Sequence, residues 1–246
     1  MRTECLAALL PCRRRTYVVL AAVGVAAILM FDVLYVLNFT YLSQLTTNQS
    51  VEAFDLDAEG SLGTWFNTVL LFLCGQVTLL LWRSLRTAGN SPTTPCQTGM
   101  PPQTPLLLSA IVWFVMSADE GGSLHEGFKE MLVLVCGTRL YGDGSLYWIV
   151  PYFVVLAAAG TFLLSQMGRT AAGALLITAG ILWGVAVLNQ LELFLSNPRI
   201  SILLEETCEM LGTLCLLGSL CLFARQTIER LGRRISVKPD ARTGKL

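Results

Sequence analysis

Six apolar runs divide this chain, and they constrain its fold more than any other feature. They are Tyr17–Leu37, Thr64–Trp82, Pro105–Ser117, Leu146–Ser165, Ala171–Ser196 and Ser201–Ala224. Crossing roughly 30 Å of hydrocarbon takes about 20 mostly apolar residues. The third run is too short by itself and reaches that length only by continuing into SADEGGSLHEGFKE. With 54% of residues hydrophobic and 14% charged, the chain carries far more apolar side chain than a water-soluble core uses. The expectation is an all-α, polytopic membrane helix bundle of about six transmembrane helices, forming one integral membrane domain over residues 1–246.

Net charge is zero, yet the seventeen Lys and Arg residues are segregated. With six passes and both ends on one side, fourteen fall on that side, and Lys129, Arg139 and Arg199 on the other. The positive-inside bias then makes both termini cytoplasmic. Arg13, Arg14 and Arg15 resemble the basic region of a signal peptide, but the apolar run after them is too long and lacks a cleavage site, so it reads as an uncleaved anchor. Residues 83–104, with Pro92, Pro95, Pro101 and Pro102, read as a disordered cytoplasmic loop. Residues 225–246 read as a basic cytoplasmic tail against anionic headgroups. Membrane lipid is thus the first expected partner.

Smaller features say less. Cys74, Cys136, Cys208, Cys215 and Cys221 lie in apolar segments without a C-x-x-C pair, so they read as small buried hydrophobes. Gly180 and Gly184 form a G-x-x-x-G that suits close helix packing and also arises by chance in a glycine-rich chain. Asn38-Phe-Thr and Asn48-Gln-Ser match the glycosylation pattern, which has meaning only in a eukaryotic secretory pathway. No Walker or dinucleotide-binding pattern is present and the basic tail is short, so no nucleic-acid role is expected.

The acids carry the functional information. On the expected topology only Glu4, Glu229 and Asp240 are cytoplasmic, while the other acids are outside or in the outer half. In LLEETCEMLG, Glu205, Glu206 and Glu209 share one helix face, and Glu209 lies roughly 12 Å below the start of the sixth run. Acids at membrane depth are expensive, and such a face needs cations, protons or water. If the third helix continues through Gly121-Gly122, Asp119, Ser123, Glu126 and Glu130 form one stripe and His125 points elsewhere. If it breaks there, His125 and Glu126 turn back toward Asp119 and Glu120, as broken helices lining a cavity can. Asp32, Asn189 and Glu192 are further candidates for a shared polar pocket. A solvated loop competes for Glu52, Asp55, Asp57 and Glu59, and a local ion-pair network competes for Glu126, Lys129 and Glu130.

The blocks FDLDAEGSLGTWF, SADEGGSLHE and LLEETCEMLG together resemble a group of uncharacterised bacterial multi-pass membrane proteins with D-L-D-x-E-G, S-x-D-E...H-E and L-E-E-x-x-E-x-x-G blocks. The resemblance implies a bacterial inner membrane and no particular activity, and it draws attention to Asp57, Glu59, Asp119, Glu120, His125, Glu126, Glu205, Glu206 and Glu209. Three functions fit these residues. The first is a non-catalytic subunit or sensor whose acids fix helix packing or bind outer divalent ions. The second is a metal-dependent membrane enzyme, in which Asp119, Glu120, His125, Glu126, Glu205, Glu206 and Glu209 hold a divalent metal ion against a lipid or lipid-like ligand, with Asp57, Glu59 and Glu192 behind them. Carboxylates with one imidazole suit iron, manganese, zinc or magnesium. The third is a proton or cation pathway, although no polar chain continues to the cytoplasmic face.

Overall fold

The computed structural model describes residues 13–45, 51–89, 102–140, 142, 144–191, 193, 195 and 197–236. Helix α1 (Arg14–Leu37) continues as a wider turn over Asn38–Leu42 and one more turn over Ser43–Leu45. After a short helical turn at Glu52–Phe54 come α2 (Leu62–Gly89), α3 (Gln103–Gly122), α4 (Leu124–Cys136), α5 (Leu146–Met167), α6 (Ala171–Gln190) and α7 (Pro198–Ser236). The described residues form helices and connections, with no strand among them.

Five helices are long and apolar enough to cross a membrane: α1, α2, α5, α6 and α7. That is one fewer than the six expected. The exception is α3, which has 20 residues, about 30 Å of rise, but carries Asp119 and Glu120 in its last turn. It still packs along α2 from end to end. Leu106 near its start joins Leu81 and Leu85 in the core, and Ser117 near its end donates to the Thr68 carbonyl at 2.9 Å.

The long helix α7 organises the bundle by packing against α6, α2 and α1. Two glycines permit the closest approaches. A Cβ on Gly24 of α1 would stand 2.8 Å from Leu214, and one on Gly212 of α7 would stand 2.7 Å from Trp183 of α6. Gly180 and Gly184, the expected packing motif, have nothing within 4 Å of where a Cβ would lie. They sit on the outward face of α6, and Gly212 makes the close contact in their place. The core runs through Cys74, Trp113, Leu163, Leu216 and Leu220, with a second cluster of Ile28, Phe31, Tyr35, Leu56 and Met210 where α1 meets α7. Large apolar side chains also point outward, among them Val19, Val23 and Val33 on α1 and Phe153 and Val154 on α5. Water would oppose that arrangement, and lipid accepts it.

Several boundaries differ from the sequence reading. Helix α2 runs past Arg83 to Gly89 and α7 past Arg225 to Ser236, because Arg86 stacks over Trp82 and Arg225 pairs with Glu229 at 2.7 Å. Residues 90–101 and 237–246 lie outside the described residues. Cys136 is exposed at the C-terminal end of α4, unlike buried Cys74 and Cys208. Asn38 is fully buried, and its amide closes a loop by accepting from the Val51 N–H at 2.9 Å and donating to the Val51 carbonyl at 3.1 Å. It is therefore not available for glycosylation, and Asn48 lies outside the described residues.

Candidate functional site

Three helices meet at the amide of Asn67. This residue sits on α2 one turn below Gly63 and is 2% exposed. Its Nδ2 donates to Glu209 Oε1 on α7 at 3.0 Å, and the carboxyl of Glu120, from α3, lies within electrostatic range of Glu209 and beside the same amide. Asn67 Oδ1 is buried without a hydrogen-bond partner. Glu206, one turn above Glu209, lies within electrostatic range of Glu209, Glu120, Glu205 and Asp57. The helix face bearing these acids is pinned by the Glu209 carbonyl, which accepts from Trp183 Nε1 at 3.3 Å and Thr213 Oγ1 at 3.0 Å.

A second group forms where α3 ends. Gly121 and Gly122 stay helical, and the left-handed residue is Ser123, at φ 51° and ψ 38°. Such a conformation costs a non-glycine residue about 1–2 kcal/mol. Gly121 is needed for a different reason: a Cβ there would meet Thr68 Cγ2 at 3.3 Å. The break turns α4 back, so the His125 N–H donates to Asp119 Oδ1 at 2.6 Å and His125 Nδ1 lies 3.1 Å from Oδ2. Tyr152 on α5 donates a short hydrogen bond to the same Oδ2. Asp119 is 6% exposed and acts as an acceptor for three donors. The imidazole packs against Trp148, with ring centroids 4.8 Å apart. Burial disfavours its charge, yet the hydrogen bond and charge of Asp119, with Glu126 and Glu59, raise its pKa above the ordinary value.

Of the two arrangements open in the sequence, the broken one is present, and it turns His125 onto Asp119. Glu126 is shared: its Oε1 is 3.8 Å from His125 Nε2 and its Oε2 is 2.5 Å from Lys129. Glu130 pairs with Arg139 at 3.3 Å, so the ion-pair reading holds for these two acids. Asp57 and Glu59 stand at the rim. Glu59 acts electrostatically on Glu120, Glu209 and His125. Burial first, then the charges of Asp55, Glu59 and Glu126, push the Asp57 carboxyl up. Asp32 accepts from Thr207 at 2.9 Å, and Asn189 donates to the Ser201 carbonyl at 2.6 Å, so both tie helices together away from Asn67. Glu192 lies outside the described residues.

No group of three or more His, Cys, Asp or Glu among the described residues stands where it could hold a metal ion. The seven candidates therefore do not meet as one ligand set. Six divide between Asn67, with Glu120, Glu206 and Glu209, and Asp119, with His125 and Glu126, and the seventh, Glu205, lies within electrostatic range of Glu206. Sequence reasoning missed Asn67, Tyr152 and Trp148, the neutral side chains that position these acids.

The fold defines a class, the all-helical bundle with several helices long and apolar enough to cross a membrane. Within it the chain belongs to the family described as a domain of unknown function (DUF8692), whose model matches residues 17–223. No curated protein and no solved structure matches the chain.

Proposed function

We propose that this is a membrane sensor or non-catalytic membrane subunit, whose acids share one polar pocket in the outer half of a bacterial inner membrane, with both termini cytoplasmic. The observation that carries this reading is the approach of Glu120, from α3, to Glu209, from α7, beside the amide of Asn67 that donates to Glu209. Asp119 and Glu126 have His125, Tyr152 and Lys129 as partners, whereas Glu120, Glu206 and Glu209 need water, protons or a counter-charge, which one pocket supplies to all three. Helix α7 supplies the output. Its 39 residues span about 58 Å, nearly twice the roughly 30 Å hydrocarbon thickness, and link Glu205, Glu206 and Glu209 to the Arg225–Glu229 pair.

Hydrogen exchange in nanodiscs tests the output. Changing calcium or proton concentration should alter exchange at residues 225–236 in the parent and not in Glu209→Gln. An indifferent far end of α7 removes the sensor reading.

One observation favours an enzyme as the second reading. Asp119 fixes His125 through Nδ1 and leaves Nε2 facing Glu126, the arrangement by which a carboxylate orients a catalytic or metal-bound imidazole. That reading expects turnover of a lipid or lipid-linked substrate in reconstituted vesicles, abolished by His125→Ala.

A further inference from the structure

We propose that Asn67, Glu120 and Glu209 form an oxygen-only site for a hard divalent cation of the calcium type. The proposal rests on the shared-pocket reading above and names the ligand of that pocket.

The first argument comes from Asn67. Its Nδ2 is engaged by Glu209 at 3.0 Å, while Oδ1 is buried with no donor in a residue 2% exposed. A buried carbonyl oxygen without a donor costs about 1–3 kcal/mol. The acids beside this amide, Glu209 on Nδ2 and Glu120 close by, only accept hydrogen bonds when ionised. A cation satisfies a carbonyl and two carboxylates at once.

The second argument concerns charge. Glu120, Glu206 and Glu209 act on one another, and the cationic group acting on Glu209 is His125. That imidazole is held by Asp119 through Nδ1 and faces Glu126 through Nε2. Lys129 lies 2.5 Å from Glu126. Among the described groups acting on Glu209 the cation is thus already engaged elsewhere, and the acids around Asn67 are left to a proton or a cation from solution.

The third argument selects the ion. The donors are an amide oxygen and carboxylates, with neither thiolate nor imidazole among them, which suits calcium or magnesium and not zinc or copper. Calcium accepts irregular oxygen sets completed by water, whereas magnesium demands near-octahedral geometry. With one carboxylate directly on the amide and a second beside it, the adaptable ion fits better.

Trp183 offers a readout, since its indole donates to the Glu209 carbonyl. Terbium, a luminescent stand-in for calcium, should bind the detergent-purified full chain at about one ion per chain and emit on tryptophan excitation. Calcium should displace it, and zinc should not. Glu120→Gln and Glu209→Gln should each weaken binding by about tenfold or more. Asn67→Asp, which adds a carboxylate and removes the amide donor, should tighten it. Trp183→Phe should dim the emission while calcium still raises the melting temperature. Emission unchanged in both Gln variants, weaker binding by Asn67→Asp, or stabilisation by protons with no response to calcium would each overturn the site. If Glu209→Gln does not fold, Glu120→Gln and Asn67→Asp decide. Binding with no change at the far end of α7 sinks the sensor reading and keeps the site, and a change there without binding does the reverse.

Discussion

Asp119→Asn isolates what the bend after α3 does. The substitution keeps the volume of the side chain and removes its charge. In the parent three donors converge on the carboxylate: the His125 N–H at 2.6 Å, His125 Nδ1 at 3.1 Å and the Tyr152 hydroxyl. Hydrogen bonds to a charged group contribute about 1.5–3 kcal/mol each and neutral ones about 0.5–1.5 kcal/mol. An asparagine keeps one oxygen acceptor and presents an NH2 where the second acceptor was, so at best two neutral bonds survive. At 6% exposure water does not replace the missing one. The expected loss is about 2–4 kcal/mol, and Asp119→Ala should cost more because it strands all three donors.

The chain has a single histidine, so the imidazole signal in an NMR titration is unambiguous. The His125 pKa is raised in the folded state and ordinary, near 6.5, in the unfolded one. The stability it contributes is therefore full below about pH 6.5 and disappears as pH rises through the folded value. Asp119→Asn should lower the titration of His125, because burial then acts without its main opponent, and should flatten the fall in melting temperature over that window. An unchanged titration, or a stability loss under about 0.5 kcal/mol, would refute the account.

Other substitutions test other contacts. Gly212→Ala should destabilise by about 1–3 kcal/mol in thermal unfolding, since its Cβ would stand 2.7 Å from Trp183 Cδ1 and 3.3 Å from the Ala179 carbonyl oxygen. Gly180→Ala and Gly184→Ala, with open space at both positions, should be neutral or stabilise by up to about 1 kcal/mol. Asp57→Asn should stabilise modestly near neutral pH, by less than about 1 kcal/mol for a group partly open to solvent. The folded protein holds the Asp57 proton more tightly than the unfolded chain, so this residue's contribution falls as pH rises above its ordinary value, and the gain should vanish in acid. Reporter fusions after Asn48, Pro95, Gly142 and Leu246 should read outside, inside, outside and inside, and replacing Arg13, Arg14 and Arg15 together should mix the orientations.

The passes were readable because length and hydropathy are local properties. Five runs need no partner to be recognised as helices of spanning length. The third could not be settled that way. Its apolar part ends at Ser117, and what carries α3 to Gly122 is packing on α2, through the Ser117–Thr68 hydrogen bond and the close approach at Gly121. The break was anticipated at the glycine pair, since glycine tolerates a left-handed backbone. Its actual position at Ser123 is set by one contact within the stretch and one from α2. Asp119 captures the His125 N–H, which fixes where α4 begins, and a glycine one residue earlier is already needed against Thr68.

The acids were readable for the opposite reason: charge inside apolar sequence is conspicuous. Which acids meet was not, because the residues that join them are neutral and common. Asn67 lies in GTWFNTVLLFL, where a lone amide near a helix start announces no partner, and Trp148 sits where an interfacial aromatic is expected. One signal was available. An asparagine entering an apolar helix a full turn beyond Gly63 has polar atoms that lipid cannot satisfy, so it must face other polar groups, and the acids of α3 and α7 are the candidates at that height. The same reasoning applies to Tyr152, whose hydroxyl sits one turn below Trp148 and needs an acceptor at membrane depth. In a chain this apolar, neutral hydrogen-bonding side chains just inside the helix ends mark where charged residues from separate helices can converge.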